Sequence, residues 1–489
     1  MSLDKQHSSG ESPKVSRRLA IHGGLASLAA ALVQTHLSGC TSEMPRTRLN
    51  TESADQDLGN DVDQMNTADL GDQSLTTEMN ETMDMSVLSE QVDTGLQGGE
   101  MVSDAGVDNE IDMSVAEEIT AEFPMRILPD QPPLISEISS IGPLLPADEN
   151  GLRLPEGFSS RIVARSGESV GNTDYRWHAA PDGGATYPTE DGGWIYVSNS
   201  EILILGGVSA IRFDAQGEVR DAYNILTRSN KNCAGGRTPW HTWLSCEETS
   251  VGQVYECSPW GDQEAILRPA LGKFKHEAVA VDSIHWHLYL TEDEPDGGFY
   301  RFTADRFNAD GYPHLASGLL EVASVSDDGQ VTWLPIPDPQ YTGELATRYQ
   351  VPELTSFNGG EGIWYFNSVV YFSTKGDNRV WAYQTQTDQL EVIYHGNGQL
   401  NGVDNLTVSC CGDVLVAEDG GNMQIVAIAP NGELKTLVQV EGQDDSEITG
   451  PAFDPSGTRL YFSSQRGPTD QSSDGITYEV SGPFHRLAN

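Results

Sequence analysis

From about residue 127 the chain alternates apolar and polar positions in short runs, and the three-to-four spacing of an amphipathic helix is nearly absent. Gly, Asp and Asn turns separate the runs, the pattern of an all-β domain. One unit recurs: GWIYVSNSE at 193–201, TWLSCEE at 242–248, HLYLTEDE at 287–294, VVYFSTK at 369–375, DVLVAED at 413–419 and RLYFSSQ at 459–465. Each is a strand that runs into a polar, often acidic, end. In most cases a second strand soon returns, as at 207–213, 252–257, 298–302, 378–383 and 424–429. The units repeat about every 45 to 50 residues, except for one doubled interval around 307–359 that must hold an insertion. That period predicts a β-propeller of about six blades. Trp194, Trp286, Trp364, Trp381, Tyr371 and Tyr461 fall at strand positions and are expected between blades.

The alternation does not reach the N-terminus. Residues 41–125 are rich in Asp, Glu, Met, Thr, Ser and Gly, with Arg46 and Arg48 as their only basic residues and almost no aromatics. Such a segment cannot bury enough apolar surface to offset its chain entropy, so a disordered acidic tether is expected. Ahead of it, SRRL at 16–19, an apolar run at 25–33 and LSGC at 37–40 resemble a Tat export signal ending in a bacterial lipoprotein box. A plain Sec lipoprotein signal is the alternative. Processing there would make Cys40 the lipid-bearing residue. The run is too short to span a bilayer, so membrane contact is expected through the lipid anchor alone, at the periplasmic or outer cell surface. The expected division is signal 1–40, tether 41–125 and propeller 126–489. The formal net charge of -45 repels phosphate backbones and disfavours nucleic-acid binding. A monomer is expected.

The candidate chemistry lies at the strand ends. In a propeller, equivalent strands of successive blades finish on one face around a central channel. Glu201, Glu247, Glu248, Glu292, Asp293, Glu294, Glu418 and Asp419 would therefore converge, and carboxylates a few ångströms apart repel by several kcal/mol, on the order of 4 at intermediate dielectric. Bound cations are the usual remedy, and hard oxygen ligands in that number favour Ca²⁺. The densest stretch is NCAGGRTPWHTWLSCEE at 232–248, read as a tight Gly-Gly loop bearing Cys233, then a strand ending in Glu247 and Glu248. A nucleophilic pair of Cys233 with His178 or His241 is a competing reading. Cys246 and Cys257 flank a short turn and could form a disulfide. Cys410 and Cys411 read as turn residues.

Several motifs then resemble the PhoX family of alkaline phosphatases, in order along residues 152–467: LPEGF at 154–158, ARSG at 164–167, HAAPDGGA at 178–185, NCAGG at 232–236, CEE at 246–248, FKHEA at 274–278, EGIW at 361–364, DN at 404–405 and EDG at 418–420. The resemblance implies a propeller whose channel holds iron and calcium ions that bind and activate a small phosphate ester. It implies Cys233 as a thiolate on iron, with Glu277 and Glu361 as carboxylates on the same iron pair. It places Glu201, Glu247, Glu248, Asp293, Glu294, Asp404 and Asp419 on or near calcium. Strand alternation puts Lys275 on the same side as Glu277, with His276 structural. The larger members carry an arginine two residues before the second iron-bound glutamate, where it helps hold phosphate. Here that position is Gly359, and Arg237, Lys275, Lys375 and Arg379 are the cations available to substitute; Lys275 and Arg237 are the candidate catalytic cations. Two other readings stay open: a non-catalytic propeller pinned by calcium that binds a protein or polysaccharide, and a calcium-dependent lactonase-like hydrolase.

Overall fold

The alternating runs pair, in sequence order, into six antiparallel sheets of four or five strands. The computed structural model describes residues 122–341, 345–396 and 398–488, so the export signal, Cys40 and nearly all of the 41–125 segment lie outside the described residues. The innermost strands of the sheets are Pro181–Pro188, Asn232–Arg237, His276–Val281, Gly360–Phe366, Val403–Val408 and Ile448–Phe453, which define blades 1 to 6. Their partners Trp194–Ser200, Trp243–Glu247, His287–Glu292, Val369–Thr374, Val414–Glu418 and Arg459–Ser464 are the six recurring sequence units. The fold is thus an all-β, six-bladed propeller. The doubled interval is accounted for by a fifth strand in blade 3, Val331–Pro335, and the loops around it.

An open row of blades would leave two bare sheet edges, and here the chain ends cover them. Ser159–Arg165, from ahead of blade 1, pairs with Ile476–Ser481 and completes blade 6. Leu152–Arg153 adds to blade 5 beside Leu434–Val440, and Leu134–Ser136 pairs with His485–Leu487 in a short terminal ribbon.

Strand alternation leaves one face of each blade packed on the next, and aromatic rings fill the seams. Phe299 of blade 3 stacks on Phe372 of blade 4 with centroids 4.6 Å apart, and Tyr196 of blade 1 on Tyr461 of blade 6 at 5.1 Å. Trp194, Trp364, Trp381 and Tyr371 join the same clusters, as their strand positions predict. Trp286 does not: it sits on a turn at φ 59°, against Tyr312. The Cys246–Cys257 disulfide that the sequence allows does not form. Cys246 lies opposite Val254 and Cys257 opposite Trp243, at opposite ends of the strand pair, and both are buried thiols.

Candidate functional site

Every innermost strand carries a one-residue β-bulge near its start. Pairing slips between Pro181 and Gly184, Asn232 and Gly235, His276 and Val279, Gly360 and Ile363, Val403 and Leu406, and Thr449 and Ala452. A bulge re-aims a side chain that regular alternation would bury between sheets. The residues at these slips are Asp182, Cys233, Glu277, Glu361, Asp404 and Gly450. Five blades therefore present an acid or a thiol at the same height. The sixth cannot present a side chain there: Gly450 has φ 59°, and a Cβ would stand 2.6 Å from the carbonyl oxygen of Asp182. The expected loop at 232–236 is in fact this bulged innermost strand, with its glycines letting neighbouring backbones touch.

A second tier comes from the residue just after each second strand: Glu201, Glu248, Asp293, Lys375, Asp419 and Gln465. The positions just before innermost strands supply Lys231, Lys275 and Glu447. The last residue of the second strand points elsewhere. Glu247 accepts from Ser229 Oγ at 2.7 Å and Asn230 N at 2.9 Å, Glu292 from Tyr300 OH at 2.7 Å, and Glu418 from Asn401 N at 2.8 Å. Glu247 and Glu418 clamp the connections that lead into their blades, and Glu292 the turn within its own.

Ligand atoms within 4.8 Å of one another link the two tiers into one arc: Asp182, Glu201 and Cys233; Cys233, Glu248 and Glu277; Glu277, Glu361 and Asp404; and Asp404, Asp419 and Glu447. Cys233 Sγ lies 3.2 Å from Glu277 Oε1 and 3.7 Å from Asp182 Oδ2. Four basic groups reach in. Lys231 Nζ is 2.9 Å from Glu201, Lys275 Nζ 2.8 Å from Glu248 and 2.6 Å from Asp293. Lys375 Nζ touches Glu361, Asp404 and Asp419 at 3.0, 3.4 and 3.3 Å, and Arg466 Nη1 lies 3.0 Å from Glu447. Gln465 Nε2 donates to Asp182 and Glu201 at 2.6 and 2.8 Å.

Nine carboxylates thus face four cations, and the imbalance shows in their proton affinities. Burial, then repulsion by the neighbouring acids, holds Asp182, Glu277 and Glu447 well above the usual carboxylate range. Glu361 is raised in the same way, by burial and Asp404, despite Lys375. Burial and Glu201 push Glu248 up to about 7. Glu201 and Asp293 go the other way, since hydrogen bonds and charge from Glu248, Lys231 and Lys275 outweigh their burial. The Cys233 thiol is raised by burial and by Asp182 and Glu277. With no further cation, these groups coexist only by holding protons. Multivalent cations would replace those protons and keep the same groups ionised, so the donor set fits metal ions, with one soft ligand among hard oxygens.

Of the residues singled out in sequence, Cys233, Glu277, Glu361, Glu201, Glu248, Asp293, Asp404, Asp419 and Lys275 come together. Five do not. Glu247, Glu292 and Glu418 are consumed by loops, as above. Glu294 sits outside the arc, 3.6 Å from Arg348. Arg237 lies at the far end of the innermost strand from Cys233, half-buried over the Tyr187 ring at 5.3 Å. Cys233 pairs with neither histidine: His178 bonds Ser209 Oγ at 2.8 Å, and His241 lies beside Arg237. His276 is structural, its ring tilted against Phe274 with centroids 3.6 Å apart and bonded to Gly272 O. Asp182, Glu447, Lys231, Arg466 and Gln465 escaped the sequence reading. Aligning the six innermost strands, whose second position reads Asp, Cys, Glu, Glu and Asp in blades 1 to 5, exposes the first of them.

The family model for alkaline phosphatase PhoX matches residues 215–389 and 379–467. Among solved structures, PhoX of Pseudomonas fluorescens in complex with vanadate, a transition state analogue, superposes with a TM-score of 0.56 at 16% identity, covering 69% of this chain and 97% of that one. A gluconolactonase from Xanthomonas campestris (15% identity, 70% and 98% covered) and a calcium-binding regucalcin from Agrobacterium tumefaciens (15%, 67% and 98%) score 0.40 and 0.36, too low to bear on function. No curated protein matches. Because the family model spans over half the chain, in the region that builds most of the arc, the chain belongs to the alkaline phosphatase PhoX family of phosphatase-like propeller hydrolases.

Proposed function

We propose that this protein is an exported, lipid-anchored phosphoric ester hydrolase that uses iron and calcium held in the propeller channel. The observation that carries this reading is the continuous arc of buried carboxylates around one thiol, in a chain of this family. Cys233, Glu277 and Glu361 would hold iron, with Asp182 at the thiol's other side. Glu201, Glu248, Asp293, Asp404, Asp419 and Glu447 would hold calcium. When bound, such ions neutralise phosphate oxygens, stabilise charge in the transition state and supply an activated oxygen nucleophile.

The chain's own part is to seat the anion. Lys375 Nζ is shared among three carboxylates in the metal-free arrangement. Once metal ions satisfy those acids, the ammonium becomes available to a phosphate oxygen. Its location supports this: a Cβ on Gly359, the position of the family's missing arginine, would lie 3.8 Å from Lys375 Cβ. Lys375 thus starts where that arginine would start, as a point charge in place of a bidentate fork. Lys275, between Glu248 and Asp293, would do the same from blade 3.

The test is hydrolysis of an aryl phosphate monoester and diester by the metal-loaded chain. Lys375→Met is expected to weaken phosphate binding at least about tenfold, as loss of a charge-assisted contact does, with Lys375→Arg largely retaining it. Chelation should abolish turnover, and iron with calcium should restore it. Unaltered hydrolysis in Lys375→Met would remove this role, and absence of any ester turnover with both metals bound would turn the reading into a calcium-pinned scaffold.

A further inference from the structure

The turn between Val403–Val408 and Val414–Glu418 of blade 5, a strand's length from the acid arc, carries Cys410 and Cys411. On a strand, neighbouring side chains would point apart. The turn, closed by Gly412 N donating to Ser409 O at 3.0 Å, instead brings the two Sγ atoms within 3.7 Å of each other. A ring nitrogen of His485 completes a group whose ligand atoms all lie within 4.8 Å. His485 belongs to the terminal ribbon, and Cys411 Sγ also approaches that ribbon at Leu134 O, 3.3 Å away.

The histidine supplies a second, independent observation. Its ring is 4% exposed, and Nδ1 lies 2.7 Å from Gly457 O. A carbonyl only accepts, so Nδ1 carries the proton and Nε2 is left with its lone pair. Nε2 is buried with no hydrogen-bond partner. A buried polar atom left so bears its desolvation cost with nothing to offset it, which points to a missing ligand. An imidazole held through Nδ1–H by a backbone carbonyl is also the usual posture of a metal-binding histidine.

We propose that Cys410, Cys411 and His485 form a zinc site, separate from the channel, that ties the blade 5 turn to the terminal ribbon. Two sulfurs on a tetrahedral zinc, with Zn–S near 2.3 Å, stand about 3.8 Å apart, close to the spacing seen. A set of two thiols and one imidazole without a carboxylate selects a thiophilic d¹⁰ cation over calcium or magnesium. Binding forms two Zn–S bonds and one Zn–N bond, releases the two thiol protons, and leaves the fourth position to water. No electron transfer is involved. Because no residue is shared with the acid arc, the site stands whether or not that arc binds iron.

Equilibrium dialysis of the full chain against Zn²⁺, with bound metal counted by elemental mass spectrometry, tests it. The Cys410→Ser/Cys411→Ser chain is expected to hold one zinc fewer than the wild type, and Cys233→Ser to keep that zinc. His485→Gln should weaken the same equivalent at least about tenfold, the scale for loss of a metal-site partner. Because His485 is buried, the exposed-turn double variant is the deciding one, with its circular dichroism spectrum matching the wild type. Equal zinc content in wild type and double variant overturns the proposal. So does a Cys410–Cys411 disulfide found by peptide mass in the purified chain.

Discussion

Glu277 shows what the site asks of one residue. It is 1% exposed, it accepts from the Cys233 sulfur at 3.2 Å, and four other acids repel it. A carboxyl whose proton affinity is raised in the folded state stabilises the fold fully below its unfolded pKa. That stabilisation is lost as pH rises through the raised folded value. Asp182, Glu277, Glu361 and Glu447 are all of this kind, and Glu248, at about 7, places part of the loss between pH 4.5 and 7. Glu201 and Asp293 oppose the trend, since their lowered affinities add stability above the ordinary carboxylate range. The metal-stripped protein should therefore melt at falling temperature from about pH 4.5 upward, and Glu277→Gln should raise its melting point by a few degrees at pH 8 while lowering metal affinity. Scanning calorimetry across pH with and without metal checks both signs; a melting point that climbs with pH in the stripped protein contradicts the account. Glu201, Glu248 and Asp293 were legible because acids cluster after strands in the repeat, and Glu277 and Glu361 through the resemblance to the family. Asp182 was not, since it lies on an innermost strand whose register depends on a bulge, and a bulge leaves no mark in hydrophobic alternation.

At the level of elements, each second strand divides its labour between two consecutive positions. The last residue clamps a loop and the next enters the channel. Sequence shows both acids of the pairs 247–248, 292–293 and 418–419 but not which does what, because only the backbone N–H groups of a folded loop distinguish them. Glu247→Ala should thus cost roughly 1–3 kcal/mol of stability, as it strands the Asn230 N–H and the Ser229 hydroxyl, with the metal content of the folded fraction unchanged. Urea denaturation alongside metal analysis separates the two effects. Loss of metal at wild-type stability would return Glu247 to the ligand set. Arg237 was misplaced for a related reason: it shares a short strand with Cys233, but four residues of extended chain carry it to the strand's other end.

The described residues form a ring closed by the strand ahead of blade 1, and closure is what brings Glu447 and Gln465 of blade 6 beside Asp182 and Glu201 of blade 1. The blade period was plain in sequence, whereas Ser159–Arg165 carries no repeat signal and pairs with a strand from the other end of the chain. A chain beginning at residue 166 should lose cooperative melting relative to one beginning at 122, and a peptide of residues 152–165 added in trans should recover part of it. Identical melting of the two chains would mean the ring does not need that seam. Exposing the edge of Ile476–Ser481 is also expected to promote association of the shortened chain, visible by light scattering.

The central claim is that a thiol and acids from all six blades are held in one channel by metal ions, iron among them. Elemental analysis of the purified, full-length wild type and Cys233→Ser proteins tests it most directly. The account predicts iron together with calcium in the wild type, and iron lost from Cys233→Ser with its calcium largely kept. A folded wild type that binds neither metal when both are supplied, or a Cys233→Ser chain with undiminished iron, would contradict it.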